Sequence, residues 1–189
     1  MWGFKGDDLA PDSLQNCNII YPKDILPLVK KHPELYKIWD KIPNWVTRCD
    51  IARYLFLYYN TGTYLDADCF KKKAIPGDTI KSANTILYTE YIASPTGPRE
   101  DKSITLRIAS FAMTSLKSKQ KIWLACINES IKRIKSILDT RWSDSDVLWS
   151  AGPGMLSEVY DKLEDKSGII VLDNTYMIHM CNGSWRNKK

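Results

Sequence analysis

The chemically richest stretch of the chain lies between residues 48 and 68, in the run RCDIARYLFLYYNTGTYLDAD. Asp66 and Asp68 stand two apart at the end of a short apolar segment, Thr63-Tyr64-Leu65. An extended chain points side chains i and i+2 the same way, which gives the two carboxylates one shared side. Held close together they repel, unless a cation sits between or beside them. Oxygen ligands with open positions suit Mg²⁺ or Mn²⁺, which complete their shells with water and substrate phosphates. The spacing therefore points to a divalent cation that bridges to a diphosphate. An Asp-x-Asp by itself is common, and Asp144-Ser145-Asp146 is a second instance in the same chain. A solvated strand end or a helix cap is the plain structural reading of either pair. Upstream, Asp50 and Arg53 are three apart and share one face of a helix, with a surface ion pair as the plain alternative.

These residues need elements to hold them. Ile51, Tyr54, Leu55 and Tyr58 fall at i, i+3, i+4 and i+7, an amphipathic helix whose apolar face differs from the Asp50–Arg53 face. Asn60-Thr61-Gly62 closes it, and a short strand over 63–68 delivers the two acids. Before it, Pro22, Pro27, Pro33 and Pro43 allow only short helices, over 24–31 and 34–41. Residues 84–92 and 104–113 read as buried strands. Trp123, Ile127, Ile131, Ile134 and Leu138 make one stripe of a long helix, with Lys121, Lys132 and Lys135 on its wet side. Gly152-Pro153-Gly154 opens a helix over 155–163, then come a strand over 168–172 and a tail through Met177, Ile178 and His179. Residues 1–6 look like the tail of a strand entering a glycine turn. The alternation predicts an α/β sandwich with a mixed sheet.

Composition narrows the function classes. A chain of 189 residues predicts one domain over 1–189. With 44% hydrophobic and 26% charged residues it has ordinary globular usage, which argues against disorder. Seven Trp and ten Tyr suit a core with a cleft in which flat rings can stack on a ligand. The net charge of +5 is spread over short clusters (Lys30-Lys31, Lys71 to Lys73, Lys117 to Lys121, Lys188-Lys189), which read as solvated faces, so nucleic acid is not the expected partner. Five scattered cysteines with no CxxC pair give neither a zinc knuckle nor a disulfide framework. No apolar run approaches the ~18 residues of a membrane span, and no signal-peptide pattern opens the chain. The expectation is a soluble, cytoplasmic protein with reduced thiols, unglycosylated at Asn128 and Asn182.

The run Asp50-x-x-Arg53-Tyr54, Leu57-Tyr58, Gly62-x-Tyr64-Leu65-Asp66-x-Asp68 resembles the glycosyltransferase sugar-binding family with the DxD motif. That family includes yeast initiating mannosyltransferases, and the glucosylating domains of clostridial toxins are distant relatives. Weaker echoes follow in order: Met1-Trp2-Gly3 is similar to the end of the family's opening strand, Gly152-Pro153 to its later Gly-Pro turn, and His179 with Gly183-Ser184-Trp185 to its terminal segment. Thr61 replaces the first glycine of the family's pair, and Cys49 replaces its serine before the aspartate. The resemblance implies a GT-A-like nucleotide-diphospho-sugar transferase fold, a mixed central sheet flanked by helices, with its first strand truncated if the chain starts at Met1.

For the site, the resemblance implies a nucleotide-sugar donor, UDP- or GDP-linked, and a Mn²⁺ or Mg²⁺ cofactor. Trp2 would stack on the nucleobase, or be a plain hydrophobic plug. Asp50 and Arg53 would grip hydroxyls of the donor sugar, a carboxylate acceptor beside a forked donor. Asp66 would contact the ribose and the metal's water shell, and Asp68 would bind the metal. His179 or Ser184 would supply the remaining protein ligand over the diphosphate, with Trp185 near the leaving oxygen. His179 as a satisfied strand histidine is the alternative. The implied reaction is transfer of a hexose to an acceptor, with retention. Glu90 and Asp146 could reach such a cleft but carry no assigned role, and His32 reads as a turn residue. Three rivals stand beside this reading. One is a sugar-nucleotide or glycan-binding module of the same fold without turnover. Another is a haloacid-dehalogenase-type phosphohydrolase, disfavoured because Phe70 stands where that class has Thr or Val. The third is a basic nucleic-acid binder.

Overall fold

The computed structural model describes residues 18–90 and 97–180. Trp2, Ser184 and Trp185 lie outside the described residues, as does the segment expected to end an opening strand. Proline and side-chain caps set the first helices. Helix α1 (Pro22–Val29) and α2 (Pro33–Trp39) each begin on a proline, whose missing N–H costs nothing in the first turn. The Asp24 carboxylate accepts from the Tyr21 N–H at 2.8 Å to tie the start of α1. His32, at the N-cap of α2, lies with Nε2 3.1 Å from the Tyr59 hydroxyl and takes no part in the site below.

Helix α3 (Trp45–Tyr59) starts where Asn44 Oδ1 accepts the Val46 N–H at 2.8 Å. It runs into β1 (Gly62–Leu65) through Gly62, whose φ of +134° is glycine territory. Thr61, at the family's other glycine position, keeps a negative φ, so that departure costs no backbone strain. Then follow β2 (Cys69–Lys71), the short α4 (Gly77–Ser82), β3 (Thr85–Thr89), β4 (Ile108–Ser115) and the long α5 (Lys121–Ile137). Helices α6 (Asp144–Ser150) and α7 (Pro153–Lys162) and strands β5 (Ile169–Leu172) and β6 (Met177–His179) complete the described elements.

Four strands form a mixed sheet in the order β1-β4-β3-β5, with β4 antiparallel to both neighbours and β3 parallel to β5. Consequently β1 and β3 point the same way and end at the same edge, with β4 between them. The antiparallel pair β2–β6 forms a separate ribbon. Alternation sends Leu87 and Met113 toward a helix-side core of Ile51, Leu55, Trp123, Ile127 and Met155. Ile86, Tyr88 and Phe111 pack with Cys69 and Met177 of the ribbon. The sheet thus carries helices on one face and the ribbon against the other.

Fully buried Tyr54 and Trp123 stack at 6.4 Å between α3 and α5. Their polar ends are satisfied, Tyr54 by the Ala151 carbonyl at 2.8 Å and Trp123 by Ser115 Oγ at 2.9 Å.

Several expectations move. The strand expected over 104–113 is set later, at 108–115, because residues 101–107 are tied into a turn by Asp101 Oδ1 and into ion pairs by Arg107. The second Asp-x-Asp is a helix cap: Ser143 and Asp146 exchange hydrogen bonds at the start of α6, and Asp146 also takes Arg99 at 2.8 Å. The first pair does not sit on an extended strand. Strand β1 stops at Leu65, and the Cys69 N–H returns to the Asp66 carbonyl at 3.0 Å, so residues 66–69 form a turn. No helix among the described residues is long and apolar enough to cross a membrane.

Candidate functional site

The site is assembled at the edge where β1 and β3 end. The Asp66 N–H continues the β1–β4 ladder one step, donating to the Phe111 carbonyl at 2.8 Å, and the turn then brings Asp68 alongside. Strand β6 closes the cluster from far down the chain. Its register against β2 sets His179 opposite Cys69, and the Met180 N–H donates to the Asp68 carbonyl at 3.0 Å. The His179 ring stacks on Phe111 with centroids 4.4 Å apart. As a result His179 Nε2 lies 3.3 Å from Asp68 Oδ1 and 4.0 Å from Asp66 Oδ2.

Asp66, Asp68 and His179 each offer a ligand atom, and these atoms all lie within 4.8 Å of one another. Ligands about 2.1 Å from a shared ion are at most roughly 4.2 Å apart, so small side-chain rotations close the set. All three side chains remain partly exposed, between 21% and 26%, which leaves room for water or phosphate oxygens in the open positions. Two carboxylates and an imidazole make a donor set that fits a divalent cation.

Behind this cluster stands Asp50–Arg53, and it is not a surface pair. Asp50 is 4% and Arg53 5% exposed, because α3 is covered on the sheet side as well as on its apolar face. Arg53 Nη2 lies 2.8 Å from Asp50 Oδ1 and 3.6 Å from Asp66 Oδ1, while Nη1 donates to the Ser110 carbonyl at 2.5 Å. That carbonyl is available because β4 slips against β3: Leu87 to Thr89 span the same stretch as Met113 to Ile108. Arg53 Nε is buried and has no acceptor among the described residues. Tyr64, two residues before Asp66, completes the group. Its hydroxyl donates to Asp66 Oδ1 at 2.6 Å, and its ring lies 4.8 Å beneath the Arg53 guanidinium.

The electrostatics follow from burial. Removal from water pushes the Asp50 carboxyl up to about 7 against the pull of Arg53, and the charges of Asp66 and Glu90 push the same way. Burial by itself would weaken the Arg53 cation, but Asp66, Tyr64 and Asp50 hold it well above its ordinary value, so it stays charged. Burial also raises the Tyr64 hydroxyl far enough to keep it a donor.

Further along the edge, Arg107 Nε takes Glu90 Oε2 at 2.7 Å and Nη1 takes Glu100 Oε2 at 2.6 Å. Glu100 in turn lies against Gly154 of the Gly-Pro-Gly turn, where a Cβ would come within 2.7 Å of its Cδ. Among the described residues, carboxylates outnumber guanidiniums along the edge even though the whole chain carries +5.

The structure thus brings Asp50, Arg53, Asp66, Asp68 and His179 together. The residues that the sequence left without a role are Tyr64 and the Arg107–Glu100 pair. Tyr64 was legible as the i−2 neighbour of Asp66; the pair is joined only by tertiary packing.

Residues 10–90 match the family model described as the glycosyltransferase sugar-binding region containing a DXD motif. Asp50, Arg53, Tyr64, Asp66 and Asp68 all fall inside the match, and His179 joins them from outside it. No curated protein matches the chain.

Proposed function

We propose, from the match of residues 10–90 to the DXD-containing glycosyltransferase sugar-binding region, that the protein is a metal-dependent glycosyltransferase. It moves a hexose from a UDP- or GDP-linked donor to an acceptor on a GT-A-like fold comprising residues 1–189 as one domain. The observation that supports this most is the convergence of Asp66, Asp68 and His179 in front of the buried Asp50–Arg53 pair. In this reading Asp68, Asp66 and His179 hold Mn²⁺ or Mg²⁺, and Tyr64 fixes the orientation of Asp66. Orienting hydrogen bonds of that kind are commonly needed for full metal affinity. A divalent cation there supplies charge neutralisation to a leaving nucleoside diphosphate, a contribution of several kcal/mol to the barrier.

Asp50 and Arg53 bind hydroxyls of the donor sugar. Trp2 stacks on the base, and Ser184 and Trp185 close over the diphosphate, with Trp185 near the leaving oxygen. Transfer proceeds with retention: the acceptor hydroxyl forms its bond to the anomeric carbon on the face from which the diphosphate departs. The bond to the phosphate oxygen breaks, and the hydroxyl proton passes to the departing phosphate.

The test is thermal melting of the wild type and Asp68→Asn against a panel of nucleotide sugars, with and without Mn²⁺. A donor at ~100 times its Kd adds about 2.7 kcal/mol of stability. Stabilisation that needs both Mn²⁺ and Asp68, followed by release of nucleoside diphosphate, supports the transferase. Stabilisation without any turnover identifies a binding module. A phosphorylated Asp66 identifies the hydrolase instead.

A further inference from the structure

We propose that Glu90, held by Arg107, faces the transferred sugar, accepts a hydrogen bond from one of its hydroxyls and disfavours donors whose sugar is anionic. This rests on the donor-site reading above and extends it to a residue outside the DxD cluster and the Asp50–Arg53 pair.

Topology places Glu90. Strands β1 and β3 run in the same direction on either side of β4 and end at one edge. The Asp66 N–H prolongs the first ladder to the Phe111 carbonyl at 2.8 Å, and the Glu90 N–H prolongs the second to the Arg107 carbonyl at 2.9 Å. Between those two points lies Ser110, whose carbonyl anchors Arg53. Glu90 therefore follows directly on the end of β3 as Asp66 follows on the end of β1, with the slipped stretch of β4 between them. Its carboxyl is near enough to Asp50 and to His179 for their charges to be felt, which supports the placement at this edge. In a sheet of this kind the crevice at the strand ends is where ligands bind.

Arg107 holds two carboxylates at once. Glu100 is buried with Arg107 and neutralises it at 2.6 Å. Glu90 is a second carboxylate on the same guanidinium, held there although burial opposes its charge. Arg107 fixes Oε2, while Oε1 has no hydrogen-bond partner among the described residues, and the side chain is 20% exposed. Glu90 does not belong to the cluster that could share a cation. A fixed, partly exposed carboxylate with a spare oxygen, next to a sugar-binding region, is suited to a hydroxyl. Beside Asp50 it also repels a sugar carboxylate.

The experiment measures affinity by calorimetry, in Mn²⁺, for three probes: the nucleoside diphosphate alone, its neutral hexose conjugate (UDP-glucose or GDP-mannose) and its uronate conjugate (UDP-glucuronate or GDP-mannuronate). Loss of a hydrogen bond to a charged group amounts to about tenfold or more. Glu90→Gln, which leaves Arg107 its partner Glu100, is expected to weaken the neutral conjugate about tenfold. It should leave the diphosphate within about twofold and narrow the preference for neutral over uronate sugar by about tenfold or more. Arg107→Lys, which gives up the fork that holds Glu90 and Glu100 at once, should show the same sugar-selective pattern. Equal weakening of all three probes, or no change in any, overturns the role of Glu90 and leaves a purely structural ion pair. Failure of the wild type to bind even the diphosphate overturns the donor-site reading itself, and the Glu90 role with it.

Discussion

Replacing Tyr64 by Phe removes one oxygen and tests how the metal cluster is built. The hydroxyl donates to Asp66 Oδ1 at 2.6 Å, a short bond to a charged acceptor. Bonds of that type contribute about 1.5–3 kcal/mol. Hydrogen bonds that orient a metal ligand change metal affinity by about 10–100-fold, or roughly 1.4–2.7 kcal/mol, so the two routes to a magnitude agree. The phenyl ring stays beneath Arg53, 4.8 Å from its guanidinium, and Asp66 is partly exposed, so water replaces the lost donor in the metal-free protein. The variant should therefore melt close to the wild type without metal. Its Mn²⁺ affinity should fall by about 10–100-fold in calorimetric titration. Mn²⁺ affinity within twofold of the wild type would refute the reasoning, because it would mean that Asp66 needs no support to serve as a ligand.

Other substitutions test the buried charges. Arg53→Met leaves Asp50 buried without its partner and should cost about 3–5 kcal/mol in urea unfolding at pH 8, less at pH 5.5, where Asp50 takes up a proton. Because the folded Asp50 carboxyl sits at about 7, above the ordinary ~3.9, its stabilising contribution is full below about pH 4 and is lost as pH rises through about 7. Asp50→Asn should flatten the metal-free stability profile over that window, and a profile as steep as the wild type's would contradict it. Gly154→Ala puts a Cβ 2.7 Å from Glu100 Cδ, which Arg107 prevents from retreating. It should cost about 1–3 kcal/mol, partly offset by up to ~1 kcal/mol of helix propensity. Adding Glu100→Ala should recover most of that loss in a double-mutant cycle.

What the sequence disclosed depended on how local each feature is. Asp50 and Arg53 declare a shared helix face by their spacing, but their burial depends on β1 and β4 covering the second side of α3. Asp66 and Asp68 were legible as a pair, whereas the turn that carries them depends on the Cys69 N–H returning to Asp66. The cap on α6 had a local signal in Ser143-x-x-Asp146, and the structural reading of that second Asp-x-Asp is the one the fold adopts. His179 came only through the family's terminal segment, since the β2–β6 register that delivers it joins residues far apart in the chain. The Glu90–Arg107–Glu100 group had no motif at all, because it depends on a strand end, a loop and the close approach of Gly154.

One cation held by Asp66, Asp68 and His179 for a nucleoside diphosphate is the centre of the proposed site. Electron paramagnetic resonance of Mn²⁺ titrated into the protein, with and without UDP or GDP, reads this directly. The prediction is one bound Mn²⁺ per chain, tightened by the diphosphate and lost in both Asp68→Asn and His179→Ala. No stoichiometric Mn²⁺ in the wild type, or binding that survives both substitutions, would contradict it.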